Sequence, residues 1–155
     1  GDGNNVSTSL ALTCSLIGVS FRIASPTDYQ LPKDIVAQVK ANISNHGGSF
    51  EQLLDPNSAV QEADVIYTDV WVSMGQDETR EKRLEAFKDY QVTEDLIGQA
   101  KKDAIFMHDL PAHRGEEISE HILDHPQSVV FDQAENRLHV QQAILAMLLQ
   151  AADKA

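Results

Sequence analysis

The chain predicts a doubly wound α/β fold, a Rossmann-like parallel sheet with helices on both faces. Strands and helices alternate along its length, which argues for parallel strands joined by crossover helices. The short runs Val65-Ile66-Tyr67 and Ala104-Ile105-Phe106-Met107 are continuously apolar, as strands buried on both faces require. At 155 residues the chain is long enough for a single sizeable core.

The elements follow in order. Asn5 to Leu16 is predicted helical, with Val6, Leu10, Thr13 and Ile17 on one face, Asn4 or Asn5 as its cap and Gly18 placed to end it. Val19 to Ala24 reads as a strand stopped by Ser25-Pro26. Pro32 opens a helix through about Asn45 with Ile35, Val36, Val39 and Ile43 as its apolar stripe, and Gly47-Gly48 ends it. Phe50 to Leu54 is a short strand, and Ser58 to Gln61 has capping-box spacing for a helical turn or two. Asp64 to Thr68 is the next strand. Asp77 to Tyr90 is highly charged but keeps Leu84 and Phe87 for a core contact, and the run Asp77 to Lys88 reads as an exposed helix face. Thr93 caps a helix through Ala100, Ala104 to Met107 is a buried strand, and Val129-Val130-Phe131 is the last short one. Ala134 to Ala152 forms a long helix rich in Leu and Ala.

Composition narrows the function. The formal net charge of −12 argues against a nucleic-acid partner, since phosphate binding is dominated by Lys and Arg. No apolar run approaches the ~18 residues of a membrane span. Cys14 is the single cysteine, so no internal disulfide forms, and the chain fits a reducing compartment such as the cytoplasm. Gly1-Asp2-Gly3-Asn4-Asn5 reads as the turn after a strand, so residues 1–155 are expected to be one domain, the second half of a longer polypeptide.

Four constellations carry chemistry. Gly1-x-Gly3 begins like a dinucleotide fingerprint, but Val6 stands where its third glycine belongs and no acidic residue ends the second strand, so a nicotinamide site is not expected. An asparagine amide in this turn can both donate to and accept from an amino-acid ligand. Asp69 follows the Val65–Thr68 strand and projects from the carboxyl edge of the sheet, where it suits an ammonium group of a substrate or a nearby lysine. Taken alone it reads as a loop or cap aspartate; the Trp71-Val72-Ser73-Met74-Gly75 run that follows turns the reading to a ligand contact. His108-Asp109-Leu110-Pro111 lies on the loop after the Ala104–Met107 strand, where a lone histidine is as often structural as functional. Arg137, in Ala134-Glu135-Asn136-Arg137, can bind a phosphate or polarise a carbonyl, or can pair with Glu135 or Asp132. His121 and His125 have the spacing of a helical metal pair, but Pro126 follows and no third ligand cluster accompanies them, so no metal site is expected. His113 to Glu117 reads as a solvated loop that helps to shape a substrate.

Gly1-Asp2-Gly3-Asn4-Asn5, Asp69-x-Trp71-x-Ser73-Met74-Gly75, the run from Phe106 through His108-Asp109-Leu110-Pro111 to Glu116-Glu117, and Phe131-Asp132-Gln133-Ala134-Glu135-Asn136-Arg137 span almost the whole chain. Together they resemble the ornithine-binding domain of the aspartate/ornithine carbamoyltransferase family. The resemblance implies carbamoyl transfer from carbamoyl phosphate to the δ-amine of L-ornithine, without metal or organic cofactor. Asn5, Asp69, Ser73 and Met74 would hold ornithine, and Asp69 would take its α-amino group. Ser73 and Met74 would lie on a mobile loop to which Gly75 gives backbone freedom. Leu110 would offer a backbone carbonyl to the substrates, and His108, Asp109 and Arg137 would face the carbamoyl group. Trp71 is expected to pack.

One departure stands out. The family carries His-Cys-Leu-Pro, and here the second residue is Asp109. A carboxylate beside the δ-amine favours its charged form, which cannot attack carbon, unless Asp109 itself accepts the proton. An alternative is therefore a catalytically silent amino-acid-binding module of the same fold. The resemblance further implies an N-terminal carbamoyl-phosphate-binding domain with a Ser-x-Arg-Thr loop, absent from these residues, and a homotrimer. The 155 residues alone are expected to be inactive. The C-terminal helix would pack toward the missing domain and show apolar surface without it.

Overall fold

The computed structural model describes residues 1–73, 75 and 77–152. Helix α1 (Asn5–Leu16) leads to β1 (Phe21–Ala24), α2 (Lys33–His46), β2 (Phe50–Leu53) and α3 (Pro56–Val60). Then follow β3 (Val65–Thr68), α4 (Arg80–Phe87), α5 (Glu94–Ile97), β4 (Ile105–His108) and α6 (Val130–Ala152). Single 3-10 turns occupy Thr27–Tyr29, Asp77–Thr79, Lys88–Tyr90 and Ile122–Asp124. Among the described residues no helix is long and apolar enough to cross a membrane.

The strands are parallel, as expected, and form two pairs. Phe21 faces Phe50 and Ala24 faces Leu53 in one; Val65 faces Ile105 and Thr68 faces His108 in the other. The pairs are not hydrogen-bonded to each other. A cavity of about 290 Å³ lies between β1 and β3 beneath α1, lined by Leu10, Ile23 and Ile66, with Asn4 and Asp69 also on its wall.

Each pair has its own core. Val60, Ile66, Leu96, Phe106, Ile118 and Ile122 pack around β3 and β4, while Ala11, Ile23, Leu31 and Val39 pack around β1. The α1–α2 contact is built on small residues: Ala11 and Ser15 are buried, and Asn42 donates from Nδ2 to Ser15 Oγ at 3.0 Å. This corrects the expected stripe. Thr13 and Ile17 are exposed because close approach of α2 needs small side chains, and Ala11 and Ser15 supply them. Gly18, at φ 73°, turns the chain out of α1, with the Val19 N–H on the Cys14 carbonyl.

The fifth strand does not form. Ser128 makes a single parallel bridge to Phe106, and the helix begins at Val130, not Ala134. The Val129 N–H reaches the Phe106 carbonyl, and the Gln133 N–H already bonds the Val129 carbonyl, so helical bonding takes over within one residue. The short helix before β3 starts at Pro56 on an Asp55 cap, ahead of the expected Ser58. Beyond Val130, α6 is almost wholly exposed; Leu138, Ile144, Leu145, Leu148 and Leu149 all face outward.

Candidate substrate-binding site

The register of β3 against β4 builds the centre of the site. Thr68 and His108 are partners at the carboxyl ends of the two strands. The next residue on each strand is an aspartate, so Asp69 and Asp109 leave the sheet side by side. Burial pushes the Asp109 carboxyl above its ordinary value, and the neighbouring Asp69 pushes it further in the same direction. Asp109 Oδ1 is buried and accepts no hydrogen bond among the described residues. Behind the pair, the Tyr67 hydroxyl is pushed up to about 12 by burial, with both aspartates adding to it.

Asp69 is held from two sides. The Asn4 amide donates to its Oδ2 at 2.7 Å, and the Val70 N–H donates to its Oδ1 at 2.7 Å. Asn4 Oδ1 meanwhile accepts from the N–H groups of Val6 and Ser7, capping α1. One asparagine thus starts a helix and orients an acid on another strand. Asn5, the sequence candidate in this turn, is the first residue of α1 and is exposed. Gly3 lies against the backbone of Gln30 and Leu31, where a Cβ would collide, so the turn requires glycine there.

Past Asp69 the chain is anchored by Trp71, which is buried and stacks on Phe87 with ring centroids 6.0 Å apart, in the packing role expected of it. Ser73 follows, half buried, and Met74 lies outside the described residues. Arg83 on α4 then ties this loop to the first turn. Its Nη1 is 2.6 Å from Asp2 Oδ2 and 3.1 Å from the Trp71 carbonyl, and its guanidinium lies 4.9 Å over the Tyr29 ring. The expectation that the whole charged run is solvated is corrected at Arg83. It shares a helical face with Phe87 and is drawn inward by Asp2, a reading the i, i+4 spacing allowed.

On β4 the loop turns sharply. Leu110 has φ 57°, in the left-handed region, and its N–H donates to His108 Nδ1 at 2.9 Å; the Leu110-Pro111 peptide is cis. The His108 ring is fully buried, with Nε2 3.2 Å from Glu117 Oε1. Glu117 is itself fully buried and also accepts the His113 N–H at 2.6 Å. The solvated reading of the His113–Glu117 loop is therefore corrected at Glu117, whose acceptor turns inward to His108. His113, Glu116 and Glu117 bring ligand atoms within 4.8 Å of one another, but Glu116 is paired with Arg80 and Glu117 with His108.

Gln133, within the Phe131–Arg137 motif but given no role of its own by the sequence, joins both strands. Its Oε1 accepts the His108 N–H at 3.0 Å, and its Nε2 donates to the Tyr67 hydroxyl at 3.1 Å. Arg137 lies one helical turn farther along α6, exposed, and pairs with neither Asp132 nor Glu135; Glu135 instead lies 3.6 Å from His139. The structure thus gathers Asp69, His108, Asp109 and Leu110 at one sheet edge, with Arg137 at some remove on the helix.

In parallel α/β domains the carboxyl ends of adjacent strands, where Asp69 and Asp109 stand, are where small molecules are generally bound. The chain matches the Asp/Orn binding domain of the aspartate/ornithine carbamoyltransferases over residues 1–148, and it belongs to that family. It is similar to the ornithine carbamoyltransferase of Pyrococcus horikoshii, 51% identical over 149 residues that make up 96% of this chain and 47% of that protein. The anabolic ornithine carbamoyltransferase of Pyrococcus furiosus is 50% identical over the same shares of the two chains. Among solved structures, ornithine carbamoyltransferase from Pyrococcus furiosus superposes with a TM-score of 0.88 at 51% identity, covering 94% of this chain and 47% of that one. The anabolic enzyme from Campylobacter jejuni gives 0.92 at 35% identity, covering 97% and 50%. The chain therefore spans about half the length of the curated relatives it matches.

Proposed function

We propose that this chain supplies the amino-acid-binding half of an ornithine carbamoyltransferase. The observation that carries the reading is the Thr68–His108 register, which sets Asp69 beside the Asp109-Leu110 turn. A carboxylate fixed by Asn4 and the Val70 N–H is oriented to receive an α-ammonium group, and the adjoining turn is within reach of the far end of a short amino acid. Asn5, Ser73 and Met74 complete the hold on ornithine in this reading.

In the reaction, the δ-amine nitrogen attacks the carbamoyl carbon, a tetrahedral species forms, the bond to the phosphate oxygen breaks, and phosphate leaves. The amine gives up a proton on the way, and Asp109 is the acceptor positioned for it. The Leu110 carbonyl orients the carbamoyl group, and Arg137 stabilises charge that develops on it. Holding two reactants in line supplies much of the rate in such a step. In this reading the carbamoyl-phosphate domain lies in the remainder of the polypeptide and the trimer partners are further copies of it, so no turnover is assigned to this half alone.

A second reading has an observation in its favour. Two carboxylates at one sheet edge hold an amine in its charged form, and a site that does so binds the amino acid without transferring to it. The test is citrulline production by the full polypeptide that carries these residues, with ornithine and carbamoyl phosphate supplied. Turnover supports the transferase. Ornithine binding without turnover supports the silent module.

A further inference from the structure

We infer that Glu117 and His108 form a fixed relay that positions Leu110, and that the His108 ring is a positioning group, not a proton carrier. The inference deepens the transferase reading and rests on it for its kinetic consequence.

The argument begins with bookkeeping of ring protons. The Leu110 N–H donates to His108 Nδ1 at 2.9 Å, so Nδ1 carries a lone pair. A neutral imidazole then has its proton on Nε2, which lies 3.2 Å from Glu117 Oε1, an oxygen that only accepts. Asp109 Oδ1 also lies near Nδ1, but at 3.6 Å it is beyond hydrogen-bond reach and makes no bond to it. Nδ1 is thus committed to the Leu110 N–H and Nε2 to Glu117, and the ring is fully buried. It has no free lone pair with which to take a proton from an amine.

What the ring does instead is hold the loop. Leu110 is one of two non-glycine residues described with positive φ, a conformation that L side chains rarely adopt and that its surroundings must enforce. The bond from its N–H to His108 fixes that peptide, and the Leu110 carbonyl follows from it. Glu117 fixes the ring, and the His113 N–H fixes Glu117 at 2.6 Å. Gln133 holds the His108 backbone from the other side. Glu117 therefore sets the direction of a carbonyl from the far side of a buried ring.

The test uses the full polypeptide with ¹⁵N-labelled histidine. At neutral pH, His108 is expected to show a protonated Nε2 and an unprotonated Nδ1. Glu117→Gln keeps an acceptor at the ring and should keep both that signature and most of the activity. Glu117→Ala should mix the two tautomers and lower kcat/KM for carbamoyl phosphate on the order of a hundredfold, as for a misplaced contact. A His108 with its proton on Nδ1, or a Glu117→Ala protein with the original tautomer or undiminished kcat/KM, would overturn the inference. Should Glu117→Ala fail to fold, the tautomer of the unaltered protein and the Gln variant still decide it. Should the unaltered protein make no citrulline, the transferase reading fails while the nitrogen signature still judges the relay.

Discussion

Asn4 and Asp69, 65 residues apart in the chain, are joined by a 2.7 Å hydrogen bond from the amide of one to the carboxylate of the other. The bond ties the first turn of the domain to the carboxyl end of β3. Because Asn4 also caps α1, its replacement by alanine removes two functions together. The cap loss should cost about 1 kcal/mol in denaturant unfolding. In the full polypeptide KM for ornithine should rise as well, whereas Asn4→Asp should restore the cap and not the ornithine affinity, having no amide to donate.

Asp109 carries a prediction whose sign follows from its raised pKa. A carboxyl that binds its proton more tightly folded than unfolded contributes stability at low pH, and that contribution is lost as pH rises through the folded value. Asp109→Asn should therefore raise Tm at neutral pH, and the gain should fade as pH falls toward the ordinary aspartate value of 3.8. In turnover, Asp109→Cys should shift the pH–rate profile to lower pH, because the amine loses a neighbour that favours its protonated form. Identical profiles for the two proteins would remove Asp109 from the account.

An aromatic cluster centred on Phe87 anchors the chain that follows Asp69. Phe87 is fully buried and meets Tyr29, Trp71 and Tyr90 at centroid distances of 4.9, 6.0 and 5.7 Å. Phe87→Ala should destabilise by about 3–5 kcal/mol, measured by urea or thermal unfolding.

Arg83→Met should cost on the order of 3 kcal/mol, because it leaves the Asp2 carboxylate largely buried without its cation. The double variant with Asp2→Asn should recover much of that loss. Additive losses would mean that the pair contributes nothing jointly.

How much of this was legible in the sequence depends on the range of the interaction. Local periods and caps located α1, α2 and the four strands within a residue or two, because a helix stripe or a buried apolar run is written in adjacent residues. Asp69, His108, Asp109 and Leu110 were placed at a strand edge, and they lie there. Asn4 and Asn5 were both open as caps; the choice of Asn4 is made by where Asp69 sits, across the fold. Glu117 and Gln133 fall inside legible motifs, but their inward roles were not legible, since their partners are a ring and a backbone N–H on another element. The i, i+4 spacing to Phe87 put Arg83 on the inward face, but the partner that draws it in, Asp2, is 81 residues away.

The outward face of α6 also separates the half-domain from the whole. Leu145→Glu with Leu148→Glu should change the stability of the isolated residues by no more than about 0.5 kcal/mol, as exposed substitutions do. In the full polypeptide the same pair should cost on the order of 2–4 kcal/mol if the rest of the chain covers these leucines.

The same helix sets a schedule for synthesis. Both packed cores of this domain are drawn from residues up to Val130, and Gln133 adds the last polar tie to β3 and β4. A ribosome therefore releases everything this half needs for its own cores before the distal turns of α6 emerge. Those turns emerge after every residue of both cores, and their leucines lie outside that interior.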